Sequence, residues 1–205
     1  MDVIDGTPQH ASSPAPETGV TSGAGFWIRV LARFIDIVFG YGIAIFSGCL
    51  LGIAVFILQS SGVISSGCIH RFAKASIAQW GLHMFGGVLY HTVTEGIHGA
   101  SLGKLVCRLR VIRADGRPST VPRAFLRSLA FYFDSLVFGA IGYCSMRKSP
   151  LNQRYGDVWA KTVVVRTRCV PATAARPAWR FIIGFCLGVA CWIFMATLGF
   201  LTALL

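Results

Sequence analysis

The uncharged run Ile37–Leu58, IVFGYGIAIFSGCLLGIAVFIL, decides the fold class of this chain. A second uncharged run covers Phe181–Leu205. The hydrocarbon core of a membrane is about 30 Å thick and needs about 20 apolar residues in helical form, a length that core helices of soluble domains rarely reach. The sequence therefore predicts an α-helical integral membrane protein.

The overall composition agrees with this prediction. Of the 205 residues, 54% are hydrophobic and only 13% are charged, whereas soluble domains contain about 25% charged residues. The formal net charge of +11 comes from 19 Lys and Arg against 8 acids. Such an excess can indicate nucleic-acid binding, but here the basic residues flank apolar spans, as expected for membrane orientation and contact with anionic lipids. We expect the lipid bilayer as a partner and no nucleic acid.

The chain divides into a tail, a membrane domain at 26–168, a linker and a last helix. Residues 1–25 are rich in Ser and Pro, contain acids and lack Lys and Arg, which predicts a disordered cytoplasmic tail and no cleavable signal peptide. The remaining predictions are spans at about 34–58 and 75–94, a membrane segment at 123–146, a linker at 169–179 and an additional C-terminal transmembrane helix at 180–205.

The segment 123–146 has two open arrangements. It either crosses the membrane once or enters it as a re-entrant hairpin broken near Gly139 or Gly142. Six basic residues lie in Gly96–Arg123 and eight in Arg147–Arg180. A single crossing would place one of these groups outside, so the positive-inside rule favours the hairpin.

Two short strands are predicted on either side of this segment. Apolar and basic residues alternate in Leu105–Arg113, and Thr162–Arg166 is a β-branched run. Two short strands are stable only when they are paired or packed. We therefore expect a small cytoplasmic β-strand pair.

Charged residues at the start of the first span are the main candidates for function. Arg29, Arg33 and Asp36 follow one helix face. Ionisable groups at membrane depth are costly and tend to be functional, so Asp36 is either an ion- or proton-handling carboxylate or half of an Arg–Asp clamp that fixes the start of the helix. Asp134, with Arg127 two turns earlier, lies either beside a cavity at a broken helix end or among headgroups. His83 either bonds to a neighbouring helix or relays protons.

Metal and catalytic sites receive less support. The seven cysteines form no CxxC pair, which argues against a disulfide framework or a zinc site. His91, Glu95 and His98 have the spacing of ligands on one helix face, but Gly96 and Gly99 predict that the helix stops before His98. No catalytic triad is present. We expect no cofactor, no metal and no enzymatic activity.

Four blocks resemble the RDD family of small, mostly bacterial, membrane proteins over about residues 26–168. They are FWIRVLARFIDIV (26–38), GASLGKLVCRLRVIRADGRP (99–118), RAFLRS (123–128) and QRYGDVWAKTVVV (153–165). The resemblance implies that the arginine and two aspartates of the family name are Arg33, Asp36 and Asp157. It also aligns Gly103 and Lys104 with a family glycine–lysine pair, and Arg127 with an arginine of the third block.

The resemblance implies a bacterial cytoplasmic (inner) membrane protein of poorly defined activity. Some relatives have been associated with sodium/proton antiport. The first functional hypothesis is therefore cation/proton transport through intramembrane carboxylates, for which so small a chain would need a homo-oligomer. The alternative is a non-enzymatic membrane scaffold or accessory subunit, whose basic cytoplasmic module docks a protein partner or anionic lipid.

Overall fold

The computed structural model describes residues 22–63 and 77–204. Most of the predicted tail and of the loop after the first span lies outside this part of the chain. Within it the protein is mostly helical, with one antiparallel pair of strands. The elements are α1 (Phe26–Ser60), α2 (Ile77–Ile97), α3 (Leu102–Val106), β1 (Leu109–Arg113), α4 (Val121–Asp134), α5 (Ala140–Lys148), α6 (Tyr155–Trp159), β2 (Thr162–Arg166) and α7 (Ala178–Leu204).

Helices α1 and α7 are the two described helices long and apolar enough to cross a membrane. Their 35 and 27 residues correspond to about 52 and 40 Å at 1.5 Å per residue, more than the roughly 30 Å hydrocarbon core. Large apolar side chains are exposed along both, including Phe46 and Phe194. They correspond to the spans predicted at 34–58 and 180–205, and α1 also contains the amphipathic turns before Phe34.

Helix α2 corresponds to the predicted span 75–94. It is 21 residues long, but its second half carries buried polar side chains such as Thr94 and Glu95. It packs along α7, where Gly184 and Gly188 bring the helices together: a Cβ added at Gly188 would lie 3.1 Å from the Tyr90 ring. The crossing of the membrane by α2 stays a prediction.

The membrane segment predicted at 123–146 is broken into two helices. Helix α4 ends at Asp134, a 3₁₀ turn covers Val137–Gly139, and α5 begins at Ala140. Gly139 has φ +83°, a conformation that glycine adopts without steric cost. With 14 and 9 residues, the two helices are about 21 and 14 Å long, and neither alone is long enough to cross. The break lies where the hairpin was predicted, while entry into the membrane stays a prediction.

The predicted strand pair is present, with Val111 opposite Val164. The prediction was wrong about where the first strand begins, because Leu105 and Val106 belong to α3 and the strand starts at Leu109. Alternation of apolar and basic residues does not distinguish a strand from a single helical turn. Here Asp36 binds the start of α3 and favours the helix.

The main apolar core surrounds this sheet. Its members are buried aliphatic side chains of both strands and of the neighbouring segments: Ala24, Ala32, Leu109, Val111, Ile112, Val163, Val164, Val165 and Ala174. The segment predicted as the linker 169–179 packs onto this core through Ala174. Arg176 of the same segment donates to backbone carbonyl groups of Gly96, Ile97 and Ser119. The segment 169–179 is therefore part of the packed domain.

Candidate functional site

A cluster of charged side chains lies where α1, α2, α4 and α6 meet. We call it the polar cluster. Its members are Arg29, Arg33, Asp36, Glu95, Lys104, Arg127, Arg154 and Asp157. Its three acids are almost fully buried. Because a buried charge is tolerated only when it is paired and hydrogen-bonded, the cluster has a defined geometry.

Asp157 is the centre of one half of the cluster. Its carboxylate lies 2.7 Å from Arg29 Nη1, 3.3 Å from Arg127 Nη1 and 3.9 Å from Arg154 Nε. It also accepts the backbone N–H of Arg154 at 3.2 Å, at the start of α6. Burial opposes ionisation, but the attraction of Arg127, Arg154 and Arg29 outweighs it and holds the pKa of Asp157 well below its usual range.

Arg29 connects Asp157 to two backbone segments. Besides Asp157, its guanidinium donates to the carbonyl oxygens of Ala24 at 3.0 Å and Asn152 at 2.8 Å. One side chain therefore joins the first turn of α1 to the segments before α1 and before α6. The Arg–Asp clamp weighed from the sequence exists at this position, but its acid is Asp157 and not Asp36.

Glu95 is the centre of the other half. Its carboxylate pairs with Lys104 Nζ and lies 3.5 Å from Arg127 Nη2 and 3.6 Å from His91 Nδ1. Arg127 thus bridges Glu95 and Asp157. Lys104 carries a pKa lowered to about 8 by burial, which outweighs the opposing attraction of Glu95.

Asp36 binds the loop that starts α3. Its two carboxylate oxygens accept hydrogen bonds from Ser101 Oγ at 2.6 Å and from the Gly103 backbone N–H at 2.7 Å. A Cβ at Gly103 would lie 1.9 Å from the Ala32 carbonyl oxygen, so only glycine fits there. This close approach explains why glycine precedes Lys104, whose side chain then reaches Glu95.

Arg33 is bound differently from its neighbours. Its guanidinium carbon lies 3.7 Å from the centroid of the Phe131 ring, within the range of a cation–π contact. Within residues 22–63 and 77–204 the guanidinium forms no hydrogen bond and no ion pair with an acid, and it lines three separate cavities. Arg33 therefore has guanidinium donors left over.

Asp134 lies at the edge of the cluster, at the broken helix end where the sequence placed it. Its Oδ2 accepts the backbone N–H of Gly156 at 3.2 Å, and Oδ1 is buried without a hydrogen-bond partner in the described structure. Gly156 permits this approach, because a Cβ there would lie 2.9 Å from Ala130 Cβ.

His83 lies apart from the cluster, further along α2. Its ring is 5.5 Å from that of Trp192 on α7. The two rings are tilted by 45° to each other, so His83 contacts the neighbouring helix through its ring, and the hydrogen bond weighed from the sequence stays a prediction.

The three residues with metal-ligand spacing do not converge. Helix α2 ends at Ile97, and His98 Nε2 lies 2.7 Å from Arg110 Nη2. Burial, with Arg110 and Arg176 nearby, lowers the pKa of His98 to about 4, so its ring is neutral at pH 7 and accepts from Arg110. In the part of the chain that is described, no three His, Cys, Asp or Glu side chains are grouped as metal ligands.

The sequence analysis identified most members of the polar cluster but missed the role of two of them. Glu95 was considered only as a metal ligand, and Arg154 was not singled out. The available signal for Arg154 was its position three residues before Asp157, where a side chain can face the first turn of a helix.

Cavities extend from the cluster along α1. A cavity of about 30 Å³ lies inside the cluster. The next, of about 200 Å³, shares Asp36 and His91 with it and reaches His83. A third, of about 220 Å³, shares His83 and is lined by Ser47 and Gln79.

These features define a helical membrane protein in which a buried ion-pair cluster joins the candidate spanning helix α1 to α2, α4 and the segment beside a small sheet. The profile of the RDD family matches residues 23–161, and the chain belongs to this family of membrane proteins. No curated protein and no solved structure matches the chain significantly.

Proposed function

We propose that this protein moves protons across the membrane through the gap between α1 and the helix pair α2–α7. The observation that carries the proposal is the row of three cavities, in which neighbouring cavities share lining residues. Along α1 the row runs from Arg29 to Leu51, which is about 33 Å at 1.5 Å per residue. This length is close to the roughly 30 Å hydrocarbon thickness.

The lining side chains have suitable chemistry. Asp36 and His91 line the inner two cavities, His83 lines the outer two, and Ser47 lines the last. An imidazole ring can both accept and donate a proton. A cavity holds a water molecule once it has roughly 10–15 Å³ of accessible space, so water can complete the chain between these groups.

The charge balance favours a proton over a metal cation as the species handled at the cluster. The innermost cavity is lined by five basic side chains and two carboxylates, Asp36 and Glu95. Both carboxylates already accept from other groups. A sodium ion would therefore meet net repulsion there. Whether protons are exchanged for sodium or potassium is tested separately in the transport assay.

A second copy of the chain is expected to close the path. Among the described contacts, a Cβ placed at Gly48 or Gly52 of α1 would meet nothing within 4 Å. Small residues spaced in this way let membrane helices approach closely. A homo-oligomer formed through this face would shield the row of cavities from lipid.

Proton flux into proteoliposomes tests the proposal. The purified chain is reconstituted with a pH-sensitive dye inside, and a potassium diffusion potential drives the flux; external sodium or potassium tests for exchange. His83→Gln and Asp36→Asn are each expected to reduce the rate about tenfold or more, since positioned proton-transfer groups contribute 10²–10⁴-fold. Asp115→Asn is the matched control, because Asp115 lies in an exposed turn. Wild-type rates in both test variants would overturn the proposal.

A second candidate function is docking of an acidic partner on the surface formed by residues 97–204, which include both strands. In this range Asp115 is the one exposed acid. The exposed basic residues of the same range are Arg108, Arg117, Arg147, Lys148, Lys161, Arg166, Arg168 and Arg180. Crosslinking in membranes, followed by pull-down, compares wild type with Arg166→Glu/Arg168→Glu. The candidate predicts a partner that this variant loses, and recovery of none above background counts against it. Intact proton flux in the same variant would separate the two functions.

A further inference from the structure

A cavity of about 290 Å³ lies between the first turns of α1 and the break between α4 and α5. We call it the headgroup cavity. One wall is an apolar ridge of α1 that includes Val30, Phe34 and Ile37, all of them exposed on their outer side. Arg33 and Arg154 also line the cavity. The cavity is therefore amphipathic.

Arg33 and Arg154 have donors to spare. Their guanidinium carbons lie 3.7 and 5.6 Å from the centroid of the same Phe131 ring. Neither guanidinium forms a hydrogen bond within residues 22–63 and 77–204. Arg154 Nε is buried and lies 3.9 Å from Asp157, too far for a hydrogen bond. Arg29 also lines the cavity but is saturated by Asp157 and backbone carbonyl groups.

The cavity lies at the depth of lipid headgroups. Helix α1 is about 52 Å long, some 22 Å more than the hydrocarbon core. Its apolar run begins at Ile37 and its far end is Ser60. The turns from Phe26 to Arg33 therefore fall in the interfacial layer on one side of the membrane. Trp27, which is 77% exposed, is a residue typical of that layer.

We infer that the headgroup cavity binds a glycerophospholipid by its phosphodiester group. Arginine forks bind phosphate oxygens with charge-assisted hydrogen bonds, and Arg33 and Arg154 offer two such forks. The buried Oδ1 of Asp134, also without a donor, faces the same cavity and would accept a hydroxyl hydrogen of a glycerol headgroup. One acyl chain would follow Val30, Phe34 and Ile37. This inference does not depend on the proton path, and binding is measured without an ion gradient.

Lipid titration of the detergent-purified full chain tests the inference by thermal unfolding. The probes are short-chain phosphatidylglycerol, diacylglycerol with the same chains, and inorganic phosphate. We expect Tm to rise with phosphatidylglycerol alone. An equal rise with diacylglycerol would show that phosphate is not recognised, and an equal rise with inorganic phosphate would identify a free-phosphate site; either result overturns lipid binding here.

Variants locate the site. Arg33→Gln/Arg154→Gln is expected to weaken phosphatidylglycerol binding about tenfold or more, the scale of a lost charge-assisted hydrogen bond. The matched control is Arg147→Gln, an exposed arginine in the last turn of α5. Full binding in the double variant would overturn the proposal.

Photo-crosslinking keeps the proposal falsifiable if the double variant fails to fold. A phosphatidylglycerol with a photoreactive group near its headgroup is added to the wild-type protein, and the labelled residues are mapped by mass spectrometry. We expect adducts on Phe26–Ile37 or on Met146, which also lines the cavity. Adducts confined to α7 would place the lipid elsewhere and overturn the assignment.

Discussion

Helix α1 passes through two different environments. From Phe26 to Asp36 it is tied to the rest of the chain, with Arg29, Ala32 and Asp36 buried. From Ile37 to Ser60 only Gly40 and Val55 are buried within the described structure, and large apolar side chains point outward. The first part is positioned by ion pairs and hydrogen bonds, and the second by the lipid expected around it. The helix is therefore held by polar contacts along its first turns and has few buried residues beyond Asp36.

The two glycine pairs make the same contrast. Gly184 and Gly188 of α7 contact α2, whereas Cβ atoms at Gly48 and Gly52 of α1 would meet nothing within 4 Å in the described chain. The sequence spacing is identical. Whether such a pair packs inside one chain or faces outward therefore depends on the tertiary arrangement, and not on the motif.

The largest expected effect is in the polar cluster. Asp157→Asn removes the negative charge that faces Arg29, Arg127 and Arg154. Breaking a buried ion pair leaves uncompensated charge and costs about 3–5 kcal/mol. We expect a loss of this size in the free energy of unfolding, measured by denaturant titration in detergent micelles.

Asp115→Asn is the control for this loss. Asp115 also pairs with an arginine, Arg113, at 2.6 Å, but 42% of its side chain is exposed, so the change should cost no more than about 1 kcal/mol. Equal losses in the two variants would mean that the cluster does not hold the domain together.

The sequence predicted the two long apolar helices and the strand pair because their signals are local: uncharged length and β-branched runs. It also identified Arg29, Arg33, Asp36 and Asp157 as a group to examine. It did not predict that Arg29 pairs with Asp157, 128 residues away, because no local pattern specifies which buried acid meets which base. The start of β1 was wrong for a related reason: Asp36 is far from Ser101 in the sequence, yet it binds the turn that begins α3.

A smaller effect is expected from overpacking the glycine pairs. Gly188→Leu places a side chain against Tyr90 and Thr94 and should cost about 1–3 kcal/mol, the range for overpacked contacts. Gly48→Leu should leave unfolding of the single chain unchanged within about 0.5 kcal/mol. Unfolding in detergent measures both, and crosslinking in membranes reports whether Gly48→Leu abolishes a homo-oligomer.

Two results would contradict this contrast between the two glycine pairs. The first is an equal cost for Gly48→Leu and Gly188→Leu in the monomeric state, which would place a packed neighbour against α1. The second is a homo-oligomer that Gly48→Leu leaves intact, which would move the subunit contact to another face.

The last effect concerns pH and reports on Lys104. Burial lowers the pKa of Lys104 to about 8 in the folded protein, against a usual value of 10.5. Between these values the unfolded chain keeps a proton that the folded protein has released. Stability rises with pH wherever the unfolded state binds more protons. Lys104 should therefore raise the free energy of unfolding by up to about 1.4 kcal/mol per pH unit from pH 8 towards 10.5.

The variant Lys104→Met should abolish this rise, whatever it does to stability at pH 7. Lys148→Met is the matched control, because Lys148 is exposed at the end of α5 and should keep the wild-type slope. Denaturant titrations at pH 8, 9 and 10 measure all three proteins. An unchanged slope in Lys104→Met would mean that this ammonium group is not buried beside Glu95.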